Sequence, residues 1–173
     1  MNRNEHPAWQ VYDALRTSFL AVKYYTHKLD KVKKNEHVID IFLAITIPSS
    51  AVAILPVWNN DIGKPIWAIL VIIAAFISVA RPFLNLGSSI QMYEGAIARH
   101  AYIYAELDEI KSLIEHKQNY SPELKEKYLH IVHAKRRAIE MNPKEPEDKE
   151  LSEVLFKQIN ESMPPDSFYI PEN

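Results

Sequence analysis

Two long apolar segments lie close together in the first half of the chain. They cover residues 38–58 and 66–86, and only the polar sequence NNDIGKP separates them. An α-helix rising about 1.5 Å per residue needs about 20 residues to cross a hydrocarbon core of about 30 Å, which is the length of each segment. The connecting Asn, Gly and Pro residues form turns and break helices. The pattern therefore predicts a transmembrane helical hairpin with spans at about 38–58 and 66–86.

A buried hairpin inside a soluble helical protein is the alternative interpretation. A surface helix of a soluble protein keeps a polar face, and residues 66–80 have none, which favours the membrane. The first apolar segment begins too far along the chain, and is too long, for a cleavable signal peptide. We therefore expect the hairpin to remain in the mature protein.

The distribution of lysine predicts how the hairpin is oriented. Only Lys64 lies between the spans, and Arg81 and Arg99 lie at and beyond the end of the second span. Lys and Arg concentrate on the cytoplasmic side, counted within about 15–20 residues of the membrane. The predicted location is the inner (plasma) membrane, as a multi-pass protein with both termini cytoplasmic. The lysines that precede the first span are Lys23, Lys28, Lys31, Lys33 and Lys34.

Helical arms are predicted on the cytoplasmic side of both spans, and each span is expected to continue into its arm. The predicted organisation is an N-terminal arm at 1–37, the hairpin at 38–86, a C-terminal helical region at 87–163 and an extended, proline-rich tail at 164–173. The fold class is thus an all-α membrane protein with long arms and a small helical bundle. Apolar residues recur at three- and four-residue steps on both arms, which predicts that the arms pack together. This packing stripe comprises Tyr12, Leu15, Phe19, Tyr93, Ile97, Tyr104 and Leu107.

The C-terminal region carries its own start and stop signals. Ser121 followed by Pro122 predicts a helix start, with serine as the cap and proline in the first turn. That helix is expected to end at 142–143, before a shorter helix at about 147–162.

Two charged residues lie within the predicted spans, Asp40 in the first and Arg81 in the second. Counted from the loop, their depths differ by about four residues, or roughly 6 Å, a distance that an arginine side chain can bridge. Charges at membrane depth are rare and usually paired, which predicts an intramembrane ion pair. The alternative is that each side chain reaches separately to the headgroup layer.

Other polar residues in the spans suggest a possible route for water. Ser78, Arg81, Asn85 and Ser89 are predicted to share one helical face, and the first span contributes the hydroxyls of Thr46, Ser49 and Ser50. In an oligomer such faces could line a pore. In a monomer they would bond to the neighbouring helix or to backbone carbonyls. The residue pattern leaves both interpretations open.

Composition and motifs give no indication of an enzyme. The chain has no cysteine, which excludes a disulfide, a thiolate metal site and a cysteine nucleophile. It also lacks HExxH, Glu-x-x-His, a P-loop, GxGxxG and GxSxG. A net charge of −2 gives no reason to expect nucleic-acid binding. We therefore predict no catalytic residue, no cofactor and no metal.

Two segments carry a resemblance to a known family. They are YYTHKL at 24–29 and LNLGSSIQMYEGAIARHAYIYAEL at 84–107, and their most telling residues are Asn85, Tyr93, His100 and Tyr104. Over residues 9–140 the chain resembles the SLATT proteins, two-transmembrane effectors associated with SMODS nucleotidyltransferases and SLOG sensors. The resemblance is one of hydrophobicity and helix length, and none of these residues identifies a reaction.

The resemblance implies a pore-forming effector of a bacterial conflict or antiphage defence system, acting by abortive infection. Such a protein would oligomerise and permeabilise the inner membrane when triggered. Its partners would be membrane lipids, further copies of itself, and a separate sensor or nucleotide-signal-generating protein. The alternative is a non-enzymatic membrane-anchored adaptor whose cytoplasmic helices recruit a partner protein.

Overall fold

The computed structural model describes residues 6–46 and 62–171, and within them all regular structure is helical. The chain divides into two compact units. The first combines the chain up to Leu29 with the chain from Gln91 onward, and the second is Asp30–Ile90. The all-α prediction is confirmed for the described residues. The helices are α1 Pro7–Thr46, α2 Gly63–Ala80, α3 Leu86–Lys117, α4 Pro122–Glu140 and α5 Lys149–Ser162, with 3₁₀ turns at Arg81–Leu84 and Pro165–Ser167.

Helix α1 is 40 residues long because nothing in its sequence interrupts it. Proline occurs only at its first position, Pro7, where no backbone N–H is needed, and the helix contains no glycine. The Nδ1 atom of His6 accepts a hydrogen bond from the Ala8 amide at 3.1 Å, which satisfies one free donor of the first turn. The predicted continuity of arm and first span holds as far as Thr46. The rest of that span lies outside the described residues.

The second apolar segment forms α2, but the chain does not run from it into α3 as one helix. The backbone tightens to a 3₁₀ turn at Arg81–Leu84, and Asn85 then adopts a left-handed conformation with φ 47°. Pro82 has no N–H to continue the α-helical ladder, and asparagine tolerates left-handed backbone better than most residues. The expected continuous helix is therefore wrong at this point, and α3 begins afresh at Leu86.

The first unit has one hydrophobic core, built from the start of α1, from α3 and from α4. Tyr12, Leu15 and Leu107 are fully buried in it. Phe19 and Tyr104 pack with ring centroids 5.1 Å apart. The core thus joins the two arms within a single chain. Its buried members are Ala8, Val11, Tyr12, Ala14, Leu15, Ile103, Leu107, Ile110, Ile114, Leu124, Ile131, Ala138 and Phe168.

Side-chain caps fix the two C-terminal helices. Ser121 Oγ accepts from the Leu124 amide at 3.4 Å, which confirms the predicted start of α4. Asp148 Oδ1 accepts from the Leu151 amide at 3.2 Å and starts α5 two residues later than expected. Each cap satisfies a donor that the first helical turn leaves free.

The tail was predicted to be extended. In the structure it contains a 3₁₀ turn, and Phe168 joins the core of the first unit. Phe168 is 4% exposed and stacks on Tyr12, with ring centroids 4.5 Å apart and planes inclined by 6°. The hydroxyl of Tyr12 donates to the backbone carbonyl of Tyr169. Because proline restricts the backbone, the turn at Pro165–Ser167 holds the aromatic ring in place at low entropic cost.

Candidate functional site

One described helical segment, Gly63–Leu84, has the length and composition needed to cross a membrane. It has 22 residues and a mean hydropathy of 2.2, and of α2 only Gly63 and Ala74 are buried. Phe76 is 75% exposed and Ile72 is 68% exposed. The core helix of a soluble domain would bury such side chains, so this exposure distinguishes the segment from one.

The charged residues singled out in the spans lie together in the second unit. Arg81 Nη2 is 2.7 Å from Asp40 Oδ1, which makes an ion pair between α1 and the turn that follows α2. The two side chains are 46% and 45% exposed. An ion pair this exposed to water contributes about 0–1 kcal/mol, and the same pair facing lipid would contribute more because the dielectric constant falls.

The predicted pore-lining residues do not form one helical face. Ser78 belongs to α2, Arg81 begins the 3₁₀ turn and Asn85 is the left-handed link before α3. The single-face prediction is wrong because α-helical periodicity ends at Ala80. Arg81 and Asn85 instead line an open cleft of about 450 Å³ together with Glu36. Thr46 ends α1 with its side chain outside the described part, and Ser49 and Ser50 lie outside it altogether.

A double-mutant cycle tests the Asp40–Arg81 pair. Arg81→Ala leaves the Asp40 carboxylate without its partner beside an apolar helix, so we expect a loss of thermal stability in detergent. The double variant with Asp40→Ala should recover much of that loss, with a coupling energy of about 0.5–3 kcal/mol. The pair Lys111 and Glu115, four residues apart on α3 and 3.4 Å from each other, is the control and should couple by only about 0.3–0.5 kcal/mol, the value usual for such helix pairs. Additive effects at Asp40 and Arg81 would show that the contact contributes nothing.

A second candidate site, which the sequence did not reveal, lies in the first unit. It is built around the segment 141–148, which joins α4 to α5 and is here named the strap. Arg99 Nη2 donates to the Met141 carbonyl at 2.9 Å. His100 Nε2 lies 3.0 Å from Asn142 Oδ1. Both contacts fasten the start of the strap to α3.

The rest of the strap is held by tyrosine hydroxyls. Tyr93 donates to the Glu145 carboxylate, with both oxygens at 2.6 Å. The Asp148 amide donates to the Tyr24 hydroxyl at 3.0 Å, and Lys28 Nζ lies 3.7 Å from the Asp148 carboxylate. The strap is thereby joined to α1 as well as α3. Because these polar partners come from two helices and one loop, their positions in the sequence follow no helical or strand periodicity. The sequence therefore did not reveal this site.

Tyrosine rings form a continuous aromatic group under the strap. Tyr25 contacts Tyr24 at 5.3 Å and Tyr93 at 6.2 Å between ring centroids, and it stacks on His100 at 5.8 Å. Burial, followed by the hydrogen bond and negative charge of Glu145, raises the pKa of Tyr93. Its hydroxyl therefore remains a hydrogen-bond donor at neutral pH.

A cavity of about 320 Å³ lies between this aromatic group and the strap. Leu20, Tyr24 and Tyr25 of α1 form one side of its lining. Tyr93 of α3 and two acidic residues of the strap, Glu145 and Glu147, also line it. Glu145 and Glu147 are exposed, so the cavity is accessible from solvent.

His100 predicts how the stability of the first unit depends on pH. Burial lowers its pKa from the ordinary value of 6.5, and nearby Lys135 and Arg99 lower it further against the opposing effect of Asn142. Its Nδ1 atom has no hydrogen-bond partner among the described residues. The unfolded chain therefore takes up the proton first. The stabilisation is complete above about pH 6.5 and is lost as the pH falls toward the folded pKa.

Thermal unfolding between pH 7.5 and 5.5 checks this expectation. The melting temperature of the protein should fall with pH, and His100→Gln should reduce that slope because glutamine can bond to Asn142 without titrating. The exposed His133 provides the matched control, since His133→Gln should leave the slope unchanged. Equal slopes in all three proteins would contradict the assignment to His100.

The comparisons with known proteins do not assign the chain to a family. No protein-family model, curated protein or solved structure matches the chain. The SLATT resemblance therefore stays a hypothesis that rests on the sequence features given above. Within residues 6–46 and 62–171, no group of three or more His, Cys, Asp or Glu side chains is placed to hold a metal ion.

Proposed function

We propose that this protein is a membrane effector of a bacterial conflict or antiphage defence system. It oligomerises and permeabilises the inner membrane, and so kills or arrests the cell when a partner sensor or a nucleotide signal triggers it. The observation that carries the proposal is the exposed apolar segment Gly63–Leu84, since water solvates such a surface poorly and lipid covers it well. The SLATT resemblance supplies the defence context.

The proposed topology is a two-span hairpin with both termini cytoplasmic, its first span being the segment 38–58. The lysine-rich sequence before that segment favours this orientation. The ion pair between Asp40 and Arg81 independently supports the hairpin. In an antiparallel hairpin the start of the first span and the end of the second lie at the same membrane surface, and the proposed spans put Asp40 and Arg81 at those two ends.

Permeabilisation requires several copies, because a single two-helix hairpin encloses no lumen. The predicted packing stripe is not free to join copies, since Tyr12, Leu15 and Leu107 are buried inside one chain. Assembly must instead use surfaces outside that core. The hairpin itself offers small and polar side chains for contacts between helices in lipid.

Induced expression with a membrane-potential dye tests the proposal. Overexpressed or triggered wild-type protein should depolarise cells and slow growth. The variant Ile72→Asp with Phe76→Asp should do neither, because two carboxylates near the middle of α2 cost about 5–7 kcal/mol in lipid. A matched control replaces the exposed Leu129 and Ile139 of α4 by aspartate and should remain active.

A membrane-anchored adaptor is the second candidate function. The first unit favours it, because a separate core and a solvent-accessible cavity exceed what an anchor needs. The same experiment distinguishes the two. If abundant, membrane-inserted wild-type protein neither depolarises cells nor slows their growth, the pore proposal is wrong and the adaptor proposal is supported.

A further inference from the structure

The cavity under the strap has a lining suited to a positive charge. Two carboxylates, Glu145 and Glu147, and three tyrosines line it, and none of the described lining residues is lysine, arginine or histidine. The nearby Lys28 pairs with Asp148, and its Nζ lies 5.6 Å from the ring centroid of Tyr24. A phosphate or carboxylate ligand would meet the like charge of Glu145 and Glu147, while Lys28 beside the lining already pairs with Asp148, which disfavours such a ligand.

The aromatic side of the cavity favours an organic cation over a metal ion. Tyr24, Tyr25 and Tyr93 form a connected series of rings, and a cation within about 6 Å of a ring centroid is attracted by the ring's negative face. In the part of the chain that the structure describes, no group of three or more His, Cys, Asp or Glu side chains is placed to hold a metal ion, and Glu145 already accepts a hydrogen bond from Tyr93. An alkylated ammonium ion can use both parts of the lining, its methyl groups against the rings and its charge near the carboxylates.

The volume of the cavity and the elements that line it also suit a small organic cation. The volume of about 320 Å³ is at the lower end of the range of about 300–1,000 Å³ found for small-molecule sites, which fits a compact ligand. Such a ligand would contact α1, α3 and the strap together. It would thus stabilise the connection between the strap and the two helices that hold it.

We propose that the cavity under the strap binds a small quaternary or alkylated ammonium ion, with its charge close to Glu145 and Glu147 and its methyl groups against Tyr25 and Tyr93. This site is distinct from the apolar helix and does not depend on pore formation. It also means that a nucleotide signal, with its phosphates, does not bind in this cavity.

Calorimetric titration of the purified full chain tests the site. A maltoside detergent is required, because phosphocholine detergents would compete for it. Choline is the probe, 3,3-dimethylbutan-1-ol is its neutral isostere, and inorganic phosphate is the anionic control. We expect saturable binding of choline and none of the other two. Absence of saturable choline binding, or equal binding of the neutral isostere, would overturn the proposal.

Variants place the binding in the cavity. Glu147→Gln keeps the shape and the hydrogen-bond acceptor toward Ser152 but removes the charge, and should weaken choline binding at least about threefold. Tyr25→Leu should weaken it about two- to thirtyfold. Glu150→Gln, on an exposed carboxylate of α5 outside the lining, should leave it unchanged. Affinity that is insensitive to Glu147→Gln, or equally sensitive to Glu150→Gln, would show that choline does not bind here.

Discussion

Leu107→Asp is expected to unfold the first unit. Leu107 is 0% exposed and lies in the core that α3 forms with α1 and α4. An aspartate there would be a buried charge without a partner, at a cost of at least about 3–5 kcal/mol. That cost is comparable with the total stability of a small domain, about 5–15 kcal/mol. Circular dichroism should show a large fall in melting temperature or the loss of a cooperative transition.

An exposed leucine provides the control for this substitution. Leu129 on α4 is 50% exposed, and Leu129→Asp should change the free energy of unfolding by only about 0.5 kcal/mol. If Leu107→Asp melts like the wild type, the core assignment is wrong. Because Leu107 is buried inside one chain, reduced assembly or toxicity in Leu107→Asp would report unfolding rather than the loss of an interface between copies.

Local rules account for the parts of the fold that the sequence predicted well. The uninterrupted helix Pro7–Thr46 follows from the absence of interior proline and glycine, and the start of α4 follows from Ser121 and Pro122. The packing of Phe19 on Tyr104 agrees with the three- and four-residue spacing of apolar side chains. The two helix features depend on residues that are close in sequence, and the contact between Phe19 and Tyr104 joins two stripes that are each visible in local sequence spacing.

Three features of the structure were not predicted from the sequence. The kink at Arg81–Leu84 escaped detection because the apolar composition continues through Pro82 to Leu86. Phe168 joins the core although proline-rich composition indicated an extended tail. The strap was missed because its carboxylate and amide partners come from a loop without periodicity, while Tyr93 was predicted as a packing residue and, with His100, as part of a family resemblance.

Charge placed in α2 should prevent this helix from crossing the membrane. Two aspartates at Ile72 and Phe76, near the middle of Gly63–Leu84, cost about 5–7 kcal/mol in the hydrocarbon core. The chain has no cysteine, so one introduced thiol reports its own location without background labelling. Ile62→Cys places that thiol just before α2, at a side chain that is 73% exposed.

In intact cells, a membrane-impermeant maleimide should label Ile62→Cys from outside. Asn2→Cys and Asn173→Cys should be labelled only after the cells are permeabilised. Adding Ile72→Asp and Phe76→Asp should abolish outside labelling at position 62, because the segment then stays on the cytoplasmic side. Adding Leu129→Asp and Ile139→Asp instead should leave the pattern intact, since both side chains are exposed on α4 and outside the apolar segment. Outside labelling at one terminus alone would contradict the hairpin, because an even number of spans returns both ends of the chain to the same side of the membrane. Outside labelling at both termini would contradict the proposed cytoplasmic orientation.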